Sequence, residues 1–186
     1  MKILKKIFFT PIFIAVILLT FFGCENNRSE IMALTLPKLL PSQSGSGVTM
    51  IYTDSANLKL VLKAPKMLTF EKNVTEPFTI LPKGVMVGFY NAKGKLDATL
   101  KANYGVRYQY RKRMEVKYNV ELVNKNGEIL NTEHLVWDEV TKKMTSDAFV
   151  KITTADKIIM GKGIESNQDF TSYQIKEVTA TIQVNN

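Results

Sequence analysis

The sequence predicts an all-β domain, and three observations carry that prediction. From Val48 onward apolar residues recur at every second position, the mark of a strand with one buried face, and helical spacing is scarce. Two glycine-closed tetrapeptides, Asn91-Ala92-Lys93-Gly94 and Asn124-Lys125-Asn126-Gly127, each separate two alternating runs, as hairpin loops do. Polar turns punctuate the rest at short, even intervals. Such a series of short strands fits a sandwich, a jelly roll or a barrel.

At the amino terminus, Lys2, Lys5 and Lys6 precede an apolar run from Ile7 to Phe22, and Gly23 stands before Cys24, the single cysteine of the chain. A basic start, an apolar centre and a small residue at the cut are the parts of a secretory signal. The closing cysteine gives residues 1–23 the form of a bacterial lipoprotein signal, with Cys24 acylated by chains such as palmitate and exposed as the new terminus. The usual leucine of that pattern is Phe21 here. An uncleaved spanning helix is the competing reading. It needs about 20 predominantly apolar residues, and this run is shorter, with Thr10, Pro11 and Thr20 inside it. With Cys24 consumed, no disulfide is possible even in an oxidising compartment.

Residues 24–47 read as a flexible tether that ends in Ser42-Gln43-Ser44-Gly45-Ser46-Gly47. A Gly/Ser-rich chain of that length reaches roughly 25 Å. Residues 48–186 read as the exported domain, large enough to bury a core as one unit. The formal charge of the 186-residue chain is +8, and three of those charges belong to the leader lysines. The remaining positive balance suits an anionic partner and is also ordinary surface chemistry.

Within the domain, Leu58, Leu60, Leu62 and Ala64 alternate with Lys59, Val61 and Lys63, and Leu96, Ala98, Leu100 and Ala102 alternate with polar neighbours. The clearest run is Met114, Val116, Tyr118, Val120 and Leu122 against Glu115, Lys117, Asn119 and Glu121. Further strands are expected at 128–137, 144–153, 157–164 and 170–184, with turns at 138–143 and 155–156. Gly161 and Gly163 mark a bulge or a close backbone approach. The two similar hairpin loops suggest a repeated supersecondary unit.

The usual materials of catalysis are scarce. His134 is the sole histidine, so a histidine metal cluster is impossible and a catalytic dyad lacks an advertised nucleophile. Next to Trp137 and Asp138 it reads as structural. Arg107, Arg111, Lys112 and Arg113 interleave with Tyr104, Tyr108 and Tyr110. They make either a solvated hairpin tip or a rim for phosphorylated or carboxylated lipid heads; nucleic acid is not expected outside the cytoplasm. No phosphate-cradling loop or paired-acid metal motif occurs, so no enzyme activity and no cofactor are expected.

Three ordered stretches carry a resemblance: Val87-Gly88-Phe89-Tyr90-Asn91-Ala92-Lys93-Gly94-Lys95-Leu96, then Ala102-Asn103-Tyr104, then residues 127–138, Gly-Glu-Ile-Leu-Asn-Thr-Glu-His-Leu-Val-Trp-Asp. With residues 145–154, Gly161-Lys162-Gly163 and Ser166-Asn167-Gln168-Asp169-Phe170 in the same order, residues 48–184 resemble the LptC family of the lipopolysaccharide export machine. The resemblance implies a one-sided β-jelly roll of the OstA/LptA-like kind. It implies a domain at the periplasmic side of the inner membrane of a Gram-negative bacterium, receiving lipopolysaccharide from an LptB2FG-type ABC transporter and passing it to an LptA-like bridge protein. It also implies edge-to-edge pairing of jelly rolls, which an open sheet edge permits. Lipidation at Cys24 departs from the spanning helix of many members. Groove candidates are Phe89, Leu100, Met114, Val116, Tyr118, Val120, Trp137, Phe149 and Ile159, expected to face inward by alternation. The alternative is a surface lipoprotein whose β-sandwich binds polysaccharide or protein without moving lipid.

Overall fold

A computed structural model describes residues 39–184. Cys24, the leader and the tether as far as residue 38 lie outside the described residues. Eleven antiparallel strands follow: β1 (Gln43–Asp54), β2 (Asn57–Phe70), β3 (Phe78–Leu81), β4 (Val85–Tyr90), β5 (Leu96–Ala102), β6 (Tyr104–Tyr108), β7 (Arg113–Asn124), β8 (Ile129–Asp138), β9 (Lys143–Thr153), β10 (Lys157–Asn167) and β11 (Tyr173–Gln183). The expected all-β, jelly-roll-like architecture is what these residues form.

Six strands close a ring. One half of β2 pairs with β4 and the other half with β3; β7 likewise pairs with β5 through one half and β6 through the other; β4–β5 and β3–β6 complete the circuit. From the far side of β7 the sheet continues through β8, β9 and β10 to β11, and from the far side of β2 it continues to β1. Among the described strands, β1 and β11 alone have a single partner.

The long strands are creased along one line. On β7, Tyr118 (φ 64°) and Asn119 (φ 53°) are both left-handed, and the register jumps from Lys117↔His134 to Val120↔Thr132. Two residues therefore oppose Glu133 alone, which is a bulge and sharpens the bend. The irregularity continues across β8 and β9 between Thr132 and Val136, and into β10 between Lys162 and Ile164. Gly163 (φ +74°) is left-handed in that row, where a side chain would be strained. The crease folds two half-sheets over one core, whose members include Leu62, Val87, Phe89, Leu122, Leu130, Met144, Ile152 and Ile164.

The two tetrapeptide loops share one geometry. In β4–β5 the Asn91 Oδ1 accepts from the N–H groups of Lys93 and Lys95, and in β7–β8 the Asn124 Oδ1 accepts from Asn126 and Glu128. Gly94 (φ +71°) and Gly127 (φ +80°) supply the left-handed residue each loop closes on. Asn124 is also buried and donates to the Phe170 carbonyl at 2.8 Å, tying the β10–β11 corner to the core.

Three strands differ from expectation. β1 starts at Gln43, inside the segment read as tether, because its Gly/Ser stretch pairs with β2 from Gln43↔Thr69 to Ser46↔Lys66; β3 and β6 are too short to show alternation.

Candidate functional site

The free edges and the inner face leading to them form the candidate site. On β1, Val48, Met50 and Tyr52 stand opposite Ala64, Leu62 and Leu60 of β2. Ala64 and Leu62 are buried, so this row continues the core face, yet Met50 is 47% and Tyr52 54% exposed. At the other end, Tyr173, Ile175 and Val178 of β11 stand opposite Ser166, Ile164 and Gly161 of β10. Ile164 is fully buried and Val178 is 58% exposed. Each edge therefore presents an apolar inner face that has lost its cover, beside a row of unpaired backbone groups.

The nine groove candidates divide. Phe89, Leu100, Met114, Val116, Val120 and Trp137 face inward in the packed core, and Phe89 meets Trp137 edge-on at 5.2 Å between ring centroids. Ile159 is partly buried against them. Tyr118 and Phe149 do not face inward; they are 59% and 56% exposed. For Tyr118 the cause is the bulge, which turns its ring out to lie edge-on to Tyr104 at 6.5 Å, while its carbonyl accepts from the Asn103 N–H. Phe149 is off the inward phase of β9, which runs through Met144, Ser146, Val150 and Ile152. The exposed inner-face residues of β1 were missed because their neighbours Gly45 and Gly47 carry no strand signal.

The arginine-tyrosine cluster is a hairpin tip in which Arg107 and Arg111 are paired with carboxylates, while Lys112 and Arg113 make no ion pair among the described residues. Arg107 holds Glu139 through Nε at 2.5 Å and Nη2 at 2.8 Å. Arg111 holds Glu76 at 2.6 Å and lies 4.0 Å over the Tyr108 ring. The Arg111 N–H at the Glu76 carboxylate, together with the guanidinium, draws Glu76 below the usual carboxylate range, and the pairing raises Arg111. These arginines are committed to carboxylates, which argues against a headgroup rim here. Beside the free edge, Lys176 of β11 pairs with Asp147 at 2.6 Å and lowers its pKa, and Lys143 pairs with Glu165. His134 lies 3.7 Å from Glu115, and among the described residues no cluster of metal-ligating side chains occurs.

A search of curated proteins finds no match to the chain. The model of the LptC family, described as lipopolysaccharide-assembly, LptC-related, matches residues 12–183. That family takes part in lipopolysaccharide transport at the periplasmic side of the inner membrane of Gram-negative bacteria. With most of its length matched, and with an antiparallel fold of the expected kind, the chain belongs to the LptC-related family of lipopolysaccharide-assembly proteins.

Proposed function

We propose that the chain is a passive relay subunit: it receives lipopolysaccharide from the inner-membrane ABC transporter at one free edge and passes it to the periplasmic bridge protein at the other. The observation that carries this reading is the pair of uncovered edges, each flanked by an exposed apolar inner face. A strand from a partner adds to an open edge through main-chain hydrogen bonds. Two such junctions join the inner face into one apolar track along which acyl chains move, with energy from ATP hydrolysis in the transporter and no chemistry in this subunit. Because Phe89 and its neighbours are packed, the residues that meet lipid in this reading are Met50, Tyr52, Ile175 and Val178. Acyl chains on Cys24 hold the domain at the membrane, since more than one chain is required for stable anchoring.

Thr181→Pro tests the exit edge. Val184 donates its N–H to Asp156 on the β10 side at 2.8 Å, so by alternation Thr181, paired with Ile159, points its N–H away from β10. Proline there removes a donor needed only by a docked strand, and the expected result is loss of copurification with the bridge protein from a folded domain. Full copurification would refute docking at β11. A photo-crosslinking residue at Met50 or Val178 is expected to give lipopolysaccharide adducts that depend on ATP.

A further inference from the structure

A cleft of about 540 Å³ opens where β2 leaves β4, bordered on one side by residues 47–49 of β1. The β2–β4 ladder ends at Lys63↔Met86, and the β2–β3 ladder starts only at Leu68↔Ile80, so residues 64–67 face no strand on that edge. Pro65 lies in the gap, and its missing N–H is one donor fewer to satisfy. Ala64, Val85 and Ala102 form the floor, each buried and small enough to leave depth. Three lysines rim it: Lys63, Lys83 and Lys101, all exposed.

The charge arrangement is one-sided. Lys63 and Lys101 flank Met86 in a cross-strand row, each directly opposite it, which sets them two strand spacings, about 10 Å, apart. Lys83 joins them from the β3–β4 turn. No carboxylate lines the cleft. Among the described residues Lys63 and Lys83 have no ion-pair partner, and Lys101 has only Glu121, at 3.8 Å. By contrast, Arg107 and Arg111 at the hairpin tip are paired. Three ammonium groups around an apolar floor suit an amphiphilic anion whose charge sits beside a hydrocarbon or sugar body.

We propose that this cleft is a phosphate-recognition site, taking the phosphoryl group of a phosphorylated lipid headgroup between Lys63, Lys83 and Lys101, with the adjoining body against Met86 and Pro65. Val48 brings the cleft up to the β1 row, but Lys63 and Lys101 alternate with buried core residues and so stand on the other side of their strands from that row, and the pyrophosphate arm tests phosphate recognition apart from lipid movement along the track.

The test uses the full chain in dodecyl maltoside micelles, titrated with inorganic pyrophosphate, with lipopolysaccharide, and with lipopolysaccharide stripped of its lipid phosphates. Expected is a wild-type preference for the phosphorylated lipid that weakens steeply with salt, and a loss of at least about tenfold in the Lys63→Gln/Lys83→Gln/Lys101→Gln variant. A parallel loss for pyrophosphate supports recognition of phosphate alone; a loss confined to the phosphorylated lipid supports the headgroup as its source. Lys83→Glu, in a turn, gives the same direction without touching a strand. Thr181→Pro leaves this titration unchanged. Equal binding by wild type and triple variant, equal binding of intact and stripped lipid, absence of binding by the wild type, or loss in Thr181→Pro would each overturn the proposal.

Discussion

Gly161 sets how closely β11 can sit on β10, and Gly161→Ala measures that dependence. A Cβ built there lies 2.4 Å from the Glu177 carbonyl oxygen and 2.5 Å from Ile175 Cγ2, where real Cβ contacts essentially never fall below 3.0 Å. One clash is with backbone, so β11 must retreat by at least about 0.6 Å, the shortfall of the 2.4 Å contact from 3.0 Å. The residue sits at the register shift between Met160 and Gly161, where β11 crosses the crease. Overpacking of this kind costs roughly 1–3 kcal/mol, and 2 kcal/mol at this size lowers Tm by about 4–8 °C. Trp137, the single tryptophan and only 6% exposed, reports unfolding by fluorescence in a urea or thermal series. Copurification with the bridge protein should fall as well, because the strand that moves is the edge proposed to dock it. A change under about 0.5 kcal/mol, with copurification intact, would refute the close approach as a constraint on that edge.

Other tests probe separate parts of the molecule. Phe89→Ala should cost about 3–5 kcal/mol as a large-to-small core change, whereas Phe149→Ala should stay within about 0.5 kcal/mol; equal costs in chemical denaturation would contradict the opposite faces assigned to them. Glu76 titrates below its usual range while folded, so its pairing contributes at pH above the unfolded value and is lost as pH falls through the lowered one. Arg111→Ala removes the guanidinium but keeps the N–H of residue 111, so it should move the Glu76 midpoint, followed by carboxyl NMR, only part of the way up toward the ordinary range, and an unmoved midpoint would assign the shift to backbone donors alone. Cys24→Ala should abolish palmitate labelling and signal cleavage; unchanged processing and membrane retention would favour a spanning helix.

Local patterns account for much of this fold. Leu60 to Ala64, Ala98 to Ala102 and the phase of Met114, Val116, Val120 and Leu122 lie where alternation puts them, because a half-buried strand needs an apolar side chain at every second position; Leu96, read as a member of the same run, is 49% exposed, at the end of β5 where the β4–β5 register shifts. Asn91 and Asn124 close their loops through their own side chains, a chemistry written within five residues. The β2–β4, β5–β7 and β3–β6 pairings, by contrast, each skip at least one strand and are non-local. β1 is a strand only because β2 offers it an edge, against the weak propensity of Ser44-Gly45-Ser46-Gly47. Tyr118 has the identity and spacing of a core residue, and the extra residue of the bulge turns it outward.

The sequence by itself determined the family, the all-β character, the strands with long alternation and the shape of the hairpin loops, since each depends on contacts between near neighbours or on an ordered series of short motifs. Tertiary structure alone decided the closed six-strand ring, the line of the crease, the two uncovered edges and the lysine cleft. Those features arise where ladders end, and the end of a ladder depends on which distant segment is available to pair.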